Sequence, residues 1–269
     1  MIKNNLQNQN VLITGASSGI GYELSKIFAC NGYNLILIAR NYKVLEEMKK
    51  EIIDKFNVKV KIIKKDLSVV SSALEIFDEL KKENIDVDVL INNAGAGYVG
   101  LFNDIDYKKD IDIINLNITT LTVLTKLFSS DMIKRGCGKI LNVASTGAYQ
   151  PGPYTAVYYA TKAYVLSLSE ALRIELKNYG ISVSTLCPGS TKTEFSKRAG
   201  KDDINVAMSA KRVAEIAYRG LLKNKRIIVP GFNNKLAILL SKISPGSVSG
   251  YFVKKTSENF VNKKVTKII

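Results

Sequence analysis

The chain has 269 residues, and its 39 lysines and arginines outnumber 24 aspartates and glutamates to give a formal net charge of +15. It contains no histidine, which excludes His-based hydrolytic triads, zinc sites with His ligands and any His general base. Three widely spaced cysteines form no CxxC pair, so we expect no disulfide framework, no metal site and a cytoplasmic location.

The positive charge is spread along the whole chain. Most of the cations are lysines, and aromatic residues are not interleaved with arginine. A solvated lysine-rich surface is therefore favoured, and no nucleic-acid partner is expected. The polar first ten residues lack the apolar run of a signal peptide, and no stretch of about 18 apolar residues predicts a transmembrane helix.

Apolar runs and amphipathic segments alternate along the chain. Strands are predicted at 11–13, 35–39, 58–63, 87–91, 139–143, 182–186 and 227–229. Helices are predicted at 20–28, 42–55, 71–82, 108–132, 157–179 and 210–222. Near-continuous apolar strands are typical of a parallel sheet that is buried on both faces. The sequence therefore predicts an α/β fold with a doubly wound, Rossmann-type parallel sheet of about seven strands and helices on both faces.

Two regions differ in composition. Residues 1–230 are predicted to form one Rossmann-type domain, because no long linker, repeat or low-complexity tract interrupts them. Residues 231–269 form an extension with seven lysines and one glutamate, and with an apolar helical stripe at Leu236, Leu239, Leu240 and Ile243. We expect this extension to pack on the domain or on a partner subunit. Contact with an anionic membrane is the less favoured alternative.

A glycine-rich turn, TGASSGIG at residues 14–21, directly follows the first predicted strand. Glycines allow a tight turn, a close approach of the backbone to a pyrophosphate and close packing of helix on strand. The N terminus of the next helix offers free N–H groups to an anion. The turn therefore predicts a nucleotide-phosphate site formed by Gly15, Ser17, Ser18, Gly19, Ile20 and Gly21.

The spacing TGxxxGIG resembles the glycine motif of the short-chain dehydrogenase/reductase family, in its short single-domain branch. Further family-like segments follow in the same order: Asp66-Leu67, NNAG at 92–95, Ser145, YYATK at 158–162 and Pro188-Gly189. Together they cover the chain from Val11 to about Phe195. The resemblance implies that a dinucleotide is bound by the glycine turn together with Asp66, Leu67, Asn93, Ala94, Gly95, Tyr158, Lys162, Pro188, Gly189, Thr191 and Thr193.

The second predicted strand ends at Ala39 and is followed by Arg40. A site that prefers NAD would be expected to place an acidic residue there to accept hydrogen bonds from the ribose hydroxyls. Arginine can instead pair with a 2′-phosphate through its planar fork. NADP(H) is therefore the predicted cofactor, with Arg40 and Ser17 as contacts of that phosphate. The alternative is that Arg40 is only a loop residue facing water.

Tyr158 and Lys162 are four residues apart, which on a helix places both side chains on one face. A nearby ammonium favours a phenolate, so we expect Lys162 and an oxidised nicotinamide to lower the pKa of Tyr158. The resemblance implies that Tyr158 transfers the proton, that Ser145 polarises the substrate carbonyl and that Lys162 binds the ribose. It also implies that Asn117 holds a water in the proton relay, with Asn115 as a competing candidate.

The resemblance thus implies an oxidoreductase that reduces a carbonyl to an alcohol, or the reverse, by hydride transfer from NADPH. Its substrate pocket is predicted between residues 96–100, 147–155 and 191–208, with walls from Tyr98, Tyr149, Tyr154, Phe195 and Met208. The expected substrate is a small 3-oxoacyl, hydroxy acid or steroid-like compound, and the expected assembly is a homodimer or homotetramer. The alternatives are a non-catalytic NADPH-sensing module and a basic membrane- or nucleic-acid-binding protein.

Overall fold

The structure is a computed structural model that describes residues 9–198 and 207–265. Strands and helices alternate through both ranges. The strands are β1 (Asn10–Thr14), β2 (Asn34–Ala39), β3 (Val60–Lys64), β4 (Val89–Asn92), β5 (Gly138–Val143), β6 (Ile181–Leu186), β7 (Thr191–Lys192), β8 (Met208–Ser209) and β9 (Ile227–Ile228). The helices are α1 (Gly19–Cys30), α2 (Tyr42–Lys55), α3 (Ser72–Lys82), α4 (Tyr107–Ile114), α5 (Leu121–Arg135), α6 (Ala156–Glu175), α7 (Glu194–Arg198), α8 (Ala210–Leu222), α9 (Phe232–Ile243) and α10 (Gly246–Val265).

Seven of these strands form one parallel sheet in the order β3-β2-β1-β4-β5-β6-β9. The predicted doubly wound, Rossmann-type fold is therefore confirmed. The strand order reverses between β1 and β4, and ligands of open α/β sheets bind in the crevice outside the carboxyl ends at such a point. A second sheet joins β7 to β8, with Thr191 opposite Met208. Strands β7 and β8 were not predicted, because Thr191-Lys192 and Met208-Ser209 contain no apolar run.

The sheet is buried on both faces because its apolar strands have no polar side. In β1, Val11 and Ile13 belong to a core cluster that includes residues of α1, α2 and α8. Leu12, between them, belongs to the cluster on the opposite face, which includes residues of α3 and α5. All three side chains are fully buried. Each such burial contributes about 1.5–3 kcal/mol, so the two faces together hold the carboxyl ends of the strands in place.

The helix predicted at 108–132 is one helical stretch, Tyr107–Arg135, in which the π-helical turn Asn115–Thr120 joins α4 to α5. By length and composition this stretch is apolar enough to cross a membrane. Its α5 part packs against α3, β4 and β5 and buries Leu124, Phe128 and Met132 there. Of the apolar window in this stretch, 39% is buried inside the fold.

Helices α9 and α10 lie against loops that follow the sheet strands. α9 contacts the short 3-10 helix Thr146–Tyr149, and Gly246 and Gly250 of α10 lie beside Pro151. Ile238 is the buried residue of α9, whereas the predicted stripe of Leu236, Leu239, Leu240 and Ile243 is exposed. The stripe itself does not contact the domain, because the opposite side of α9 faces the loops.

Candidate active site

The carboxyl ends of the parallel strands border a cleft of about 910 Å³. Nearly every predicted site residue lines it. These residues are Gly15, Ser17, Ser18, Gly19, Ile20, Arg40, Asp66, Leu67, Asn93, Ala94, Gly95, Ser145, Tyr158, Lys162, Pro188, Gly189, Thr191 and Thr193. Two others, Gly21 and Asn117, do not line the cleft but lie behind its wall, where each supports a lining loop.

The glycine turn requires glycine for two physical reasons. Gly15 and Gly19 have φ values of +64° and +57°, in the left-handed region that side chains disfavour. Gly21 is needed for close packing instead, because a Cβ atom there would lie 2.4 Å from the carbonyl oxygen of Gly15. Ser18, at the N-cap of α1, makes no side-chain capping bond within the described part of the chain. The first N–H groups of α1 thus point toward the cleft beside the turn.

A hydrogen-bond network ties this turn to the loop after β4. The Thr14 hydroxyl accepts hydrogen bonds from the backbone N–H groups of Asn93 and Ala94, both at 3.0 Å. The Asn93 side chain donates in return to the carbonyl oxygens of Thr14 and Gly15, at 2.9 and 3.2 Å. Asn93 therefore positions the glycine turn, in addition to lining the cleft.

Arg40 and Asp66 meet where the loops after β2 and β3 reach the cleft. One guanidinium nitrogen of Arg40 lies 3.9 Å from a carboxylate oxygen of Asp66, and the Arg40 side chain is 65% exposed. The other Asp66 oxygen accepts hydrogen bonds from the backbone and hydroxyl of Ser68. A long exposed pair of this kind contributes little stability, so Arg40 is free to turn toward an anion in the cleft.

Ser145 and Tyr158 meet at the bottom of the cleft. Ser145 follows β5 and accepts a hydrogen bond from the Gly147 N–H at 3.1 Å. Tyr158 is on the first turn of α6, and the centre of its ring lies 5.5 Å from the centre of the Phe195 ring. Burial raises the pKa of Tyr158 to about 12, while its hydrogen bond to Ser145 acts in the opposite direction. Tyr158 therefore keeps its proton at neutral pH.

Lys162 lies one turn further along α6 and is buried. Its ammonium donates a hydrogen bond to the carbonyl oxygen of Val143 at 2.8 Å, and it lies 5.9 Å from the centre of the Tyr158 ring. Burial lowers the pKa of Lys162 to about 8. We expected the lysine to lower the pKa of Tyr158; within the chain itself, desolvation of the phenolate raises it instead.

Asn117 lies inside the π-helical turn between α4 and α5, and its side chain is buried. Its amide donates to the Ala96 carbonyl at 2.9 Å and to the Thr161 hydroxyl at 3.0 Å, and its oxygen accepts from the Ala96 N–H at 3.0 Å. A Cβ atom on Gly95 would lie 3.3 Å from both the Asn117 oxygen and the Lys162 nitrogen. Asn117 therefore joins the loop after β4 to α6. The competing candidate, Asn115, is only half-buried at the start of the same turn.

The wall opposite the glycine turn differs in part from the prediction. Tyr98 and Phe195 line the cleft. Tyr149 instead lies 3.9 Å from the Cys187 sulfur, and Tyr154 donates a hydrogen bond to Glu258 of α10. Met208 lies beside Gly231 at the start of α9. These three side chains contact other parts of the chain and do not line the cleft. Residues 199–206 of the predicted segment lie outside the described residues.

Several residues that line the cleft belong to none of the sequence motifs. Lys65 comes directly after β3 and Asn41 comes two residues after β2, so both are found by taking the residues that follow each strand end. Another group comes from α4 and its flanks, where no sequence signal separates cleft-lining from exposed positions: Ile105, Lys109, Asp112, Ile113 and Leu116. Among residues 9–198 and 207–265, no group of three metal-binding side chains occurs.

A dinucleotide-type phosphate turn beside a Ser–Tyr–Lys group on a parallel sheet defines a class of protein, the nucleotide-dependent oxidoreductases with a tyrosine proton donor. Residues 9–204 match the family described as short chain dehydrogenase. The chain belongs to this family.

Three relatives illustrate the match. Dehydrogenase/reductase SDR family member 7B of Mus musculus is 30% identical over 259 residues, which cover 90% of this chain and 79% of the mouse protein. The NADP-dependent 3-hydroxy acid dehydrogenase of Schizosaccharomyces pombe is 35% identical over 197 residues, which cover 71% of this chain and 74% of that enzyme. The solved short-chain dehydrogenase from Sphingobium yanoikuyae in complex with NADPH has a TM-score of 0.80 and 30% identity, covering 88% of this chain and 96% of that one.

Proposed function

We propose that the chain is an NADPH-dependent carbonyl reductase. The observation that carries this proposal is the grouping of Ser145, Tyr158 and Lys162 at the bottom of a cleft that begins at a glycine turn. Relatives support the cofactor, since the Schizosaccharomyces pombe enzyme is named NADP-dependent and the Sphingobium yanoikuyae structure contains NADPH.

The cleft fits such a cofactor by its shape and its donors. Side chains at Gly15, Gly19 and Gly21 would meet neighbouring atoms at 2.9 Å or less, so the turn is kept open for a close backbone contact. The N terminus of α1 would hold the pyrophosphate, and Arg40 with Ser17 would hold the 2′-phosphate. Lys162 would donate to the ribose hydroxyls, and the loop from Pro188 to Thr193 would border the nicotinamide.

Bound NADPH supplies the hydride that the carbonyl carbon receives. The Ser145 hydroxyl binds and polarises the carbonyl oxygen of the substrate. Tyr158 donates its phenolic proton to that oxygen, and its raised pKa keeps it protonated beforehand. Lys162, whose own charge is destabilised by burial, stabilises the phenolate that Tyr158 becomes. Asn117 holds Ala96 and Thr161, and so fixes the loop after β4 against α6.

The substrate is proposed to be an apolar 3-oxoacyl or steroid-like carbonyl compound or, in the reverse direction, a hydroxy acid. Tyr98, Val99, Ile105 and Phe195 give this end of the cleft an apolar wall. The relative from Schizosaccharomyces pombe is named for 3-hydroxy acids. We would follow NADPH absorbance with a panel of 3-oxoacyl thioesters, 3-oxo acids and ketosteroids. Turnover with none of them would contradict the proposed substrate class.

Replacing Tyr158 with Phe tests the catalytic assignment. We expect kcat to fall by about 10²–10⁴-fold, because the proton donor is lost, while the Kd for NADPH changes little. Tyr159→Phe is a matched control on the same turn of α6 and should leave kcat within a few-fold of the wild type. Equal activity of the two variants would contradict the role of Tyr158.

Replacing Arg40 with Ala tests the cofactor. We expect KM for NADPH to rise by about tenfold or more while KM for NADH stays nearly constant, because a charge-assisted pair with the 2′-phosphate is lost. Arg212→Ala, a change at an arginine of α8 that pairs with Glu215, is the control. A wild-type preference for NADH would contradict both Arg40 as the phosphate contact and NADPH as the cofactor.

The proposed assembly is a homodimer or homotetramer, as expected from the family. Exposed apolar residues on α4 and α6, namely Tyr107, Ile111, Tyr164 and Ile174, support an interface there. Sedimentation velocity of the full chain measures the assembly, and a monomer at all concentrations would contradict the proposal. The cytoplasmic location stays a prediction.

A further inference from the structure

The outward side of the last two described helices is strongly apolar. We call it the outer face, and its members are 45–77% exposed: Phe232, Leu236, Leu239, Leu240 and Ile243 of α9, with Val248, Tyr251 and Phe252 of α10. Their spacing of three and four residues places them on one side of each helix. Isolated large apolar residues on a surface are ordinary, but a patch this rich marks a contact site.

The outer face is not the side by which α9 and α10 pack on the domain, because the opposite side of each helix is buried. Ile238 of α9 and Ser249, Val253 and Ser257 of α10 are buried. The Tyr154 hydroxyl donates a hydrogen bond to Glu258 and fastens α10 to the loop after β5. Each of the two helices therefore has a packed side and an exposed apolar side.

Charge indicates what the outer face contacts. In the described part of the extension, four lysines are exposed, namely Lys235, Lys242, Lys254 and Lys255. The extension contains one acidic residue, Glu258, which already pairs with Lys254 at 3.5 Å. A symmetric contact between two copies would bring the same lysines together without acidic partners. The face is instead complementary to a surface that is apolar inside and anionic at its boundary.

We propose that the outer face binds a bilayer that contains anionic phospholipid. Apolar side chains of α9 and α10 enter the boundary between headgroups and acyl chains, while Lys235 and Lys255 extend to the phosphates. Lys242 lies over the Tyr149 ring and Lys254 pairs with Glu258, so these two lysines are not required for the contact. The contact also has a position relative to the cleft. α9 packs on the 3-10 helix Thr146–Tyr149, and Thr146 lines the cleft. The lipid surface therefore lies near a loop of the active site, although the docking itself does not depend on the proposed activity.

Flotation of the full chain with vesicles tests the proposal, using phosphatidylcholine alone and phosphatidylcholine mixed with phosphatidylserine. We expect the chain to float with the anionic vesicles and to bind less as NaCl is raised. The triple variant Leu240→Ser, Ile243→Ser and Phe252→Ser should bind at least about tenfold more weakly, because apolar area is lost. The double variant Lys235→Gln and Lys255→Gln should lose about tenfold on anionic vesicles only.

A matched control carries the same three substitutions elsewhere: Leu74→Ser, Ile53→Ser and Phe102→Ser. Leu74 and Phe102 are 51% and 63% exposed, against 50% and 64% for Leu240 and Phe252. The control should bind as the wild type does, and unchanged thermal midpoints show that all variants are folded. Absence of wild-type binding, or equal binding by the outer-face variant, overturns the proposal. A wild-type oligomer that only the outer-face variant dissociates, without lipid binding, assigns the face to a second copy instead and also overturns it.

Discussion

Burial shifts the pKa values of two neighbouring side chains at the bottom of the cleft in opposite directions. It raises the pKa of Tyr158 to about 12 and lowers the pKa of Lys162 to about 8, because in each case the charged form loses hydration. A protonated Tyr158 is suited to donate a proton, which is what reduction of a carbonyl requires. Without bound dinucleotide, Tyr158 is therefore protonated at neutral pH, as the proposed reduction requires.

Replacing Lys162 with Met is expected to stabilise the protein when no dinucleotide is present. Between pH 8 and the ordinary lysine pKa of 10.5, the unfolded chain binds more protons at this position than the folded one. Stability of the wild type therefore rises with pH in that window, and at pH 7 the buried charge is a cost. After loss of the hydrogen bond to Val143, the variant should gain about 1–2 kcal/mol at pH 7.

Urea unfolding from pH 7 to pH 10 measures this difference. The advantage of the Met variant should shrink as pH rises, since the wild type loses its buried charge. Lys43→Met, at an exposed lysine of α2, should follow the pH profile of the wild type. A Met variant that is less stable at pH 7, with a difference independent of pH, would contradict the argument. NADPH binding of the Met variant should be lost in either case.

At the scale of helices and strands, the π-helical turn between α4 and α5 positions the Asn117 side chain. This side chain makes three hydrogen bonds there, a buried one to Thr161 and two partly buried ones to Ala96. Asn117→Ala should lower the free energy of unfolding by about 2–4 kcal/mol and kcat by about tenfold or more, because buried donors and acceptors lose their partners. Asn115→Ala, two residues earlier, should stay within about 0.5 kcal/mol of the wild type. Thermal unfolding with NADPH turnover measures both, and equal losses in the two variants would contradict the assignment of Asn117.

Periodicity predicted the large elements because β1 and β2 contain continuous apolar runs and α1 to α3 are amphipathic. The π-helical turn was not predictable, since the side chains of NLNITT fit an ordinary helix equally well. Helix α10 was missed because apolar residues lie on both of its sides, with Val248, Tyr251 and Phe252 exposed and Val253 buried, so the sequence shows no single apolar stripe. The apolar stripe on α9 was predicted from the sequence. Such a stripe indicates an amphipathic helix, but it does not indicate which surface packs against the stripe. Motif spacing predicted the cleft lining after the strands, whereas the contribution of α4 depends on packing alone.

At the scale of the whole molecule, many lysines of the domain are already paired with acids. Lys61 lies 2.7 Å from both Glu79 and Glu83, and Lys26 lies 2.9 Å from Glu51. Such exposed pairs add little stability, but they remove local excess charge. The extension that carries the outer face has seven lysines and one glutamate, so part of the net charge of +15 is concentrated there.

The extension also contacts the candidate active site directly, through Gly189 and Asn234. A Cβ atom on Gly189 would lie 2.3 Å from the Asn234 side-chain oxygen, and the Asn234 amide donates to the Pro230 carbonyl at 2.6 Å. Gly189→Ala should therefore displace Asn234 and the start of α9. We expect a loss of about 1–3 kcal/mol of stability and a several-fold higher KM for NADPH.

The double variant Gly189→Ala with Asn234→Ala separates this contact from other effects. The three atoms nearest to the added methyl group all belong to Asn234, so removing that side chain should restore part of the loss, with a coupling of about 1–2 kcal/mol. Gly250→Ala is the control, because its nearest neighbour is Pro151 at an ordinary 3.6 Å. It should be neutral or stabilising by up to about 1 kcal/mol within α10. Additive losses in the double variant would show that the extension and the loop after β6 are energetically independent.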